Sequence, residues 1–436
     1  MKTQEKERLS RQTQKRYLLL RLKNGYRSLK GNRGRQYILC VFYVFAILFW
    51  LINKDSINLE GVQMVSPIFV ALSKLALPII LACGTAVILI FFGTPIGMNK
   101  ATSELQRIGL TNSAGETPIL TSKLKDEKQH NVTIFEFDGV GIPLTEWEDK
   151  RQRIEAAFNV HIVKLIEGKN KRSILLYTVP ADVPLSNHIE WRDELLINDS
   201  STLILGKSHM GNVTVNLSKI PHILLGGSTG SGKSVLLKLL LMQAIKKDAV
   251  VIIADFKGGV DFPSVWHSRC KMCFDEEHLI EILTELADEL QRRKVLLREN
   301  ECNNIDEYNK HTCKALRRYI FACDEVAEIL DKTGLTKEQK DKVSLIESKL
   351  SVIARQGRAF GIHLILATQR PDANILSGQI RNNIDCRVCG RADNVLSQII
   401  LDSTDAAELI PKDAAGRFLL HDGTIFQASL FDEHSL

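Results

Sequence analysis

Cysteine is scarce. Nine residues in 436, at 40, 83, 270, 273, 302, 313, 323, 386 and 389, form no framework, which excludes a disulfide scaffold and points to a reducing compartment for most of the chain. Acid is scarce as well, but only at the start: residues 1–35 hold twelve Lys or Arg against two Glu, a local charge of +10. Beyond residue 35 a basic excess is what is missing, because 45 basic face 49 acidic groups, leaving −4. A uniformly basic DNA-coating protein is thereby excluded. So is a disordered chain, since 44% hydrophobic content can fill a core.

Charge is also absent from two runs, Tyr37 to Ile52 and Leu75 to Phe92, of sixteen and eighteen residues. As helices they would reach roughly 24 and 27 Å, close to the hydrocarbon thickness when flanking Lys and Arg snorkel. They read as two transmembrane helices (37–52 and 75–92). The other readings are a buried core helix or, for the first run, a signal peptide, but some 36 residues precede it and no small-residue cleavage site follows. Twelve basic residues before the first run, with only Lys54 and Lys74 between the two, put both termini in the cytoplasm by the positive-inside rule. The basic tail (1–36) would then lie against anionic headgroups, with nucleic acid as a second possible partner.

Residues 93–130, polar and punctuated by Gly93, Pro95 and Gly97, read as a linker. A small α+β module over 131–200 follows, with strands near 131–137, 160–166 and 172–179 and a helix opened by Pro143 that sets Trp147, Ile154 and Phe158 near one face. It carries no catalytic constellation, so its expected work is structural.

The strongest chemical signal lies in 201–436. The strand-like run HILL (222–225) and Gly226 precede Gly227-Ser228-Thr229-Gly230-Ser231-Gly232-Lys233-Ser234, and an apolar helix follows. This is G-x-x-x-x-G-K-[ST] in the strand, loop, helix context that the motif needs. The glycines let successive N–H groups point inward, and the helix N-terminus adds partial positive charge, which together cradle phosphates. Lys233 would bridge the β and γ phosphates of ATP, and the Ser234 hydroxyl would ligate Mg²⁺. An apolar strand ending in Asp324-Glu325 supplies the partner carboxylates. Asp324 would hold the metal and Glu325 would polarise the attacking water, a pair that favours hydrolysis over a nucleotide switch.

Two further buried runs end in polar groups that could face the same site: 249–259 at Asp255 and Lys257, and 362–371 at Thr368, Gln369 and Arg370. Gln369 is a candidate γ-phosphate sensor. Lys257 and Arg370 are open between function and local ion pairing. Amphipathic helices are expected at 276–299 and at 343–357, ending at Gly357, and Asp422-Gly423 signals a hairpin. The pattern predicts a three-layer α/β domain with a mostly parallel sheet. The pairs Cys270/Cys273 and Cys386/Cys389 sit in strand-like runs, where i and i+3 point to opposite faces, and read as ordinary buried cysteines rather than a zinc site.

The segments NLSKIPHILLGGSTGSGKS, IIADFKGGVDF, YIFACDEVAEIL and IARQGRAFGIHLILATQRPDANILSGQIRNNIDCRV together resemble the FtsK/SpoIIIE family of hexameric, ATP-driven DNA translocases, over about 203–420. The resemblance implies a RecA-like P-loop motor that forms a homohexameric ring around DNA, binds ATP between subunits and uses an arginine of one subunit at its neighbour's γ-phosphate. Arg292, Arg358 and Arg387 are the candidates. Two spans, a short linker and only sixteen residues after Leu420 depart from the cell-division members, which have four spans and a C-terminal winged helix. The layout is more similar to the small conjugative coupling proteins of the TcpA type, and that likeness implies relaxase or relaxosome and conjugation channel proteins as partners. A chromosome translocase, a type VII-like protein secretion ATPase and a non-motor, nucleotide-gated membrane scaffold are the alternatives.

Overall fold

The charge-free runs fold as the helices Arg33–Ile57 and Ala76–Gly93, of which Arg33–Asn53 and Ala76–Gly93 are long and apolar enough to cross a membrane. The computed structural model describes residues 3–57, 75–312, 315–369 and 376–436. Lys74 and most of the loop between the two runs therefore lie outside the described residues, as do Arg370 and Cys313. The chain divides into two units, Met1–Val183 and Pro184–Leu436, so the break falls before the expected boundary at 200.

In the first unit the basic N-terminal segment is a helix, Thr3–Lys30, and it docks rather than trailing as a tail. The Tyr17 hydroxyl donates to Leu120 O at 2.8 Å, Asn24 Nδ2 to Thr121 O at 3.1 Å, and Arg16 pairs with Asp138 at 3.1 Å. The stretch 93–130, expected as a linker, carries the helix Met98–Arg107 and strand β1 (Ile119–Lys125). With β2 (Thr133–Asp138), β3 (Val160–Glu167) and β4 (Ser173–Pro180), β1 builds an antiparallel sheet in the order β1-β2-β4-β3. Two short helices, Leu144–Asp149 and Arg151–Phe158, cover it and bury Trp147 and Ile154 fully.

The second unit is a ten-stranded sheet. Its strands are β5 (Thr202–Ser208), β6 (Gly211–Asn216), β7 (Ile223–Gly226), β8 (Val250–Ala254), β9 (Lys271–Cys273), β10 (Tyr319–Cys323), β11 (Ile362–Thr368), β12 (Cys386–Cys389), β13 (Arg417–Leu420) and β14 (Ile425–Gln427). The order is β6-β5-β14-β13-β12-β7-β11-β10-β8-β9, in which β12 through β9 are parallel and the rest antiparallel. Both faces are covered, as an all-parallel block requires. Leu224, Ile252, Phe321 and Leu364 point to the side of the helices Glu276–Glu299 and Lys337–Phe360, while Ile223, Ile253, Ile320 and Ile365 point to the helix Lys233–Lys246.

One helix end differs from expectation. Gly357 does not terminate its helix, which runs on to Phe360 and is capped by Gly361 at φ 66°. A Cβ at position 357 would meet Ile362 O at 2.1 Å, so glycine is there because the helix packs directly on the backbone of β11. The four paired cysteines are free thiols. Cys273, Cys386 and Cys389 are buried and Cys270 partly so, and burial pushes them up to about 12 at 270, 386 and 389 and about 11 at 273.

Candidate nucleotide site

β7 ends at Gly226, and the loop of Gly227, Ser228, Thr229, Gly230, Ser231 and Gly232 leads into the helix that opens at Lys233 and Ser234. Gly232 needs to be glycine twice over. Its φ of 93° lies in the left-handed region, and an added Cβ would come within 2.8 Å of Gly416 N. The loop is held from both sides: Ser228 N donates to Arg391 O at 2.8 Å, and Gly416 N donates to Ser231 O at 2.8 Å. Ser231 Oγ is buried and has no hydrogen-bond partner among the described residues, a polar atom left over inside the loop.

The in-register parallel pairs Ala254↔Cys323 and Cys323↔Leu366 bring the ends of β8, β10 and β11 to one edge. Asp324, the first residue past β10, is the hub. Lys233 Nζ donates to Asp324 O at 2.5 Å and to its Oδ1 at 3.0 Å, and the Ser234 hydroxyl donates to the same Oδ1 at 2.9 Å. Lys257 Nζ donates to Oδ2 at 3.2 Å. Burial pushes the Asp324 carboxyl up, yet Lys233, Lys257 and Ser234 outweigh it and hold the group below the ordinary carboxylate range, so it is an anion at neutral pH. Burial also pushes Lys257 down, but Asp324 and Asp261 outweigh it and raise the ammonium above its usual value.

Glu325 is the N-cap of the short helix Val326–Leu330 and is 6% exposed. Its Oε1 accepts from the Thr368 hydroxyl at 2.8 Å and its Oε2 from Gln369 N at 2.9 Å. The carboxylate is thus braced against the end of β11. The Gln369 side chain reaches the loop, its Oε1 accepting from Thr229 Oγ1 at 2.9 Å.

Arg387 is held inside its own unit by Asp402, Ile384 O and Arg381 O. Arg358 donates to Ser218 O at 3.0 Å, and Arg292 makes a two-pronged pair with Glu289 at 2.6 and 2.8 Å. Ser218 precedes β7, so Arg358 sits at the end of the sheet opposite the loop; Arg292, 56% exposed, lies with Val250 and Tyr319 around a cavity of about 660 Å³ at that same end.

Sequence reasoning missed Arg391. Its NH2 donates to Thr229 O at 2.6 Å and its NH1 to Lys412 O at 2.7 Å, so its guanidinium lies along the loop. The signal was present, because Gly390-Arg391 follows the buried strand β12 just as Gln369 follows β11. Thr368 as the brace of Glu325 was also unassigned.

These residues fit a magnesium triphosphate. The Ser234 hydroxyl and the Asp324 carboxylate are hard oxygen ligands converging on one point, and Mg²⁺ takes most of its remaining shell from water and phosphate rather than from a protein cage. No cluster of three or more His, Cys, Asp or Glu suited to another metal occurs among the described residues.

A match to the FtsK/SpoIIIE family covers residues 191–327. Among solved structures the chain is similar to the pCW3 conjugation coupling protein TcpA, monomer form with ATPγS: identity is 34%, the TM-score is 0.58, and the likeness covers 77% of this chain and 96% of that one. It is also similar to the DNA translocase FtsK of Helicobacter pylori, 32% identical over 294 residues, which are 62% of this chain and 32% of that protein. The DNA translocase FtsK of Treponema pallidum is 28% identical over 306 residues, 64% of this chain and 36% of that protein. The chain therefore spans about a third of the length of these curated relatives.

Proposed function

The chain belongs to the FtsK/SpoIIIE family, and on that premise we propose that it is a membrane-anchored, ATP-driven DNA translocase that delivers DNA to a conjugation channel. The observation that carries this reading is the 34% identity to a conjugation coupling protein over 96% of that protein's chain.

Lys233 and the amides of 227–232 bind the phosphates, and Ser234 with Asp324 holds the metal. Magnesium, when bound with the nucleotide, supplies positive charge that neutralises the phosphate oxygens. Glu325, once turned from Thr368 and the Gln369 amide, orients a water and takes its proton. Gln369 links the loop to β11. Arg292, Arg358 and Arg387 are the candidate arginines with which one subunit of a homohexamer reaches its neighbour's site. Each is engaged within its own unit, Arg292 with Glu289, Arg358 with Ser218 O and Arg387 with Asp402, and would have to exchange that partner for the neighbour's phosphate.

The helices Arg33–Asn53 and Ala76–Gly93 form the anchor. Tyr17 and Arg16, before the first of them, bond to Leu120 and Asp138, after the second, which supports placing both flanks on one side of the membrane, the cytoplasmic side by the charge rule. A relaxase or relaxosome and channel proteins are the partners of this reading. DNA binding is expected to weaken steeply with salt and to show little sequence preference.

The test is ATP hydrolysis by the full chain in nanodiscs, with and without single- and double-stranded DNA, alongside DNA transfer in a conjugating host. Lys233→Ala should abolish both hydrolysis and transfer and leave membrane insertion intact. Transfer that persists in the variant refutes the reading. The name DNA translocase FtsK carried by the curated relatives favours a second reading, a translocase of the chromosome-segregation type; a normal conjugation frequency together with a chromosome-segregation defect in a strain deleted for the gene would select it.

A further inference from the structure

Lys257 is not used by the site as described, yet it touches the hub. Its Nζ lies 3.2 Å from Asp324 Oδ2 and 3.2 Å from Asp261 Oδ2, and its own backbone N–H donates to Asp255 Oδ1 at 3.0 Å. Lys233 and Ser234 use Oδ1 of the same carboxylate. Two ammonium groups thus ride on the two oxygens of one buried Asp. They differ in freedom, since the Lys233 side chain is 3% exposed and that of Lys257 is 34% exposed.

Lys233 and Lys257 share the Asp324 carboxylate, so a triphosphate seated in 227–234 whose end reaches Lys233 would end near Lys257 as well. Magnesium at Ser234 and Asp324 would draw on the charge of Asp324, weakening its hold on Lys257, while the terminal phosphate offers the ammonium a stronger anion. The local charge count points the same way. Asp255, in register beside Asp324, is 2% exposed, and its Oδ2 has no hydrogen-bond partner among the described residues. Around the loop the acidic side chains Asp255, Asp261, Asp324 and Glu325 outnumber the basic Lys233, Lys257 and Arg391, so losing Lys257 removes one of the few cations a polyanion can meet there.

The loop beyond Lys257 is built to follow it. Gly258 and Gly259 have φ of 77° and 81°, nothing lies within 4 Å of a Cβ at Gly258, and Val260 at the tip is 82% exposed. Asp261, at the far side of this turn, holds the same ammonium.

Resting on the nucleotide-site reading above, we propose that Lys257 is a second phosphate-binding lysine, exchanging Asp324 Oδ2 for the terminal phosphate of a nucleoside triphosphate, and that the exchange shifts the 258–261 turn. Lys257 is then the residue that tells triphosphate from diphosphate, and it passes the difference to an exposed apolar tip.

The experiment compares the full chain in nanodiscs with its Lys257→Met and Lys257→Arg variants, reading the affinity for mant-ATPγS and mant-ADP with magnesium and hydrogen exchange over 255–263. Lys257→Met should weaken mant-ATPγS about tenfold, the scale of one lost charge-assisted contact, with mant-ADP unchanged. Lys257→Arg should restore most of the ratio. Exchange over 258–261 should differ between the two nucleotides in the native chain and not in Lys257→Met. Equal weakening of both nucleotides makes Lys257 a merely structural residue and overturns the proposal, as does an unchanged ratio. A native chain that binds neither nucleotide overturns the nucleotide-site reading along with it.

Discussion

Stability of the second unit should fall between pH 6.5 and 4 because of two buried histidines at the end of the sheet opposite the phosphate loop. His222 and His363 are both fully buried. His222 Nδ1 accepts from Leu364 N at 2.9 Å, and its Nε2 faces Ala354 O at 3.1 Å and donates to it. Protonating Nδ1 would break the bond to β11. His363 Nδ1 donates to Pro221 O at 2.9 Å, leaving Nε2 to accept from Arg318 at 3.1 Å, so a second proton there would oppose a guanidinium. Burial lowers His222 from 6.5 to about 4, and burial together with Arg318 holds His363 well below its ordinary value.

Above pH 6.5 both states are neutral at these rings and stability is flat. Below it the unfolded chain binds protons that the folded chain refuses, so stability drops as pH falls and levels off near the folded value. For His222 alone the full span from 6.5 to about 4 corresponds to about 3 kcal/mol, and pH 5 captures roughly 2 kcal/mol of it. Urea unfolding of the full chain at pH 7 and pH 5, followed by hydrogen exchange in β11 and the helix Lys337–Phe360, measures this. His222→Gln should be less stable at pH 7 and lose part of the slope. An unchanged midpoint at the two pH values, or a slope indifferent to His222→Gln, refutes the argument.

Glu325→Gln keeps the hydrogen bond from Thr368 but cannot take a proton from water, so the chain should bind ATP and fail to turn it over in a filter-binding and phosphate-release pair of assays. Gly357→Ala should destabilise the second unit by about 1–3 kcal/mol, as overpacking does, because the new methyl must push against Ile362 O; its urea midpoint reads this directly. Arg391→Ala, which frees Thr229 O and Lys412 O, should raise hydrogen exchange in 227–232 with little change in the helix Lys233–Lys246.

The parallel block was legible in sequence because its strands are buried on both faces and read as largely apolar, charge-free runs, such as Ile362–Thr368 and Tyr319–Cys323. β1 was not, since an edge strand with exposed Lys123, Leu124 and Lys125 carries the composition of a linker. Gly357 misled for a related reason. A glycine near the end of an amphipathic run signals a cap, and only the neighbouring strand reveals that it marks a close backbone contact. At the site, Lys233 and Ser234 were singled out by the spacing of the glycine-rich motif, and Asp324 and Glu325 by their place at the end of an apolar strand; the structure brings Lys233, Ser234 and Asp324 into contact. Lys257 stayed ambiguous in sequence because an ion pair and a phosphate contact demand the same side chain. Arg391 was overlooked because its strand was read for its cysteines.

The polar edge of the sheet follows from register more than from any single motif. Gly226, Asp255, Asp324, Gln369 and Arg391 stand at or just past the ends of β7, β8, β10, β11 and β12, whose pairings align Gly226 with Thr368 and Cys389, and Ala254 with Cys323. Because side chains alternate along a strand, a slip of one residue in β10 would turn Phe321 and Cys323 to the opposite face and carry Asp324 away from Lys233. The two hydrophobic layers that make such a slip costly are therefore the same feature that fixes the Lys233–Asp324 and Lys257–Asp324 distances. Core substitutions in β10 that preserve volume should leave nucleotide binding intact, whereas inserting one residue between Tyr319 and Asp324 should abolish it even where the chain still folds.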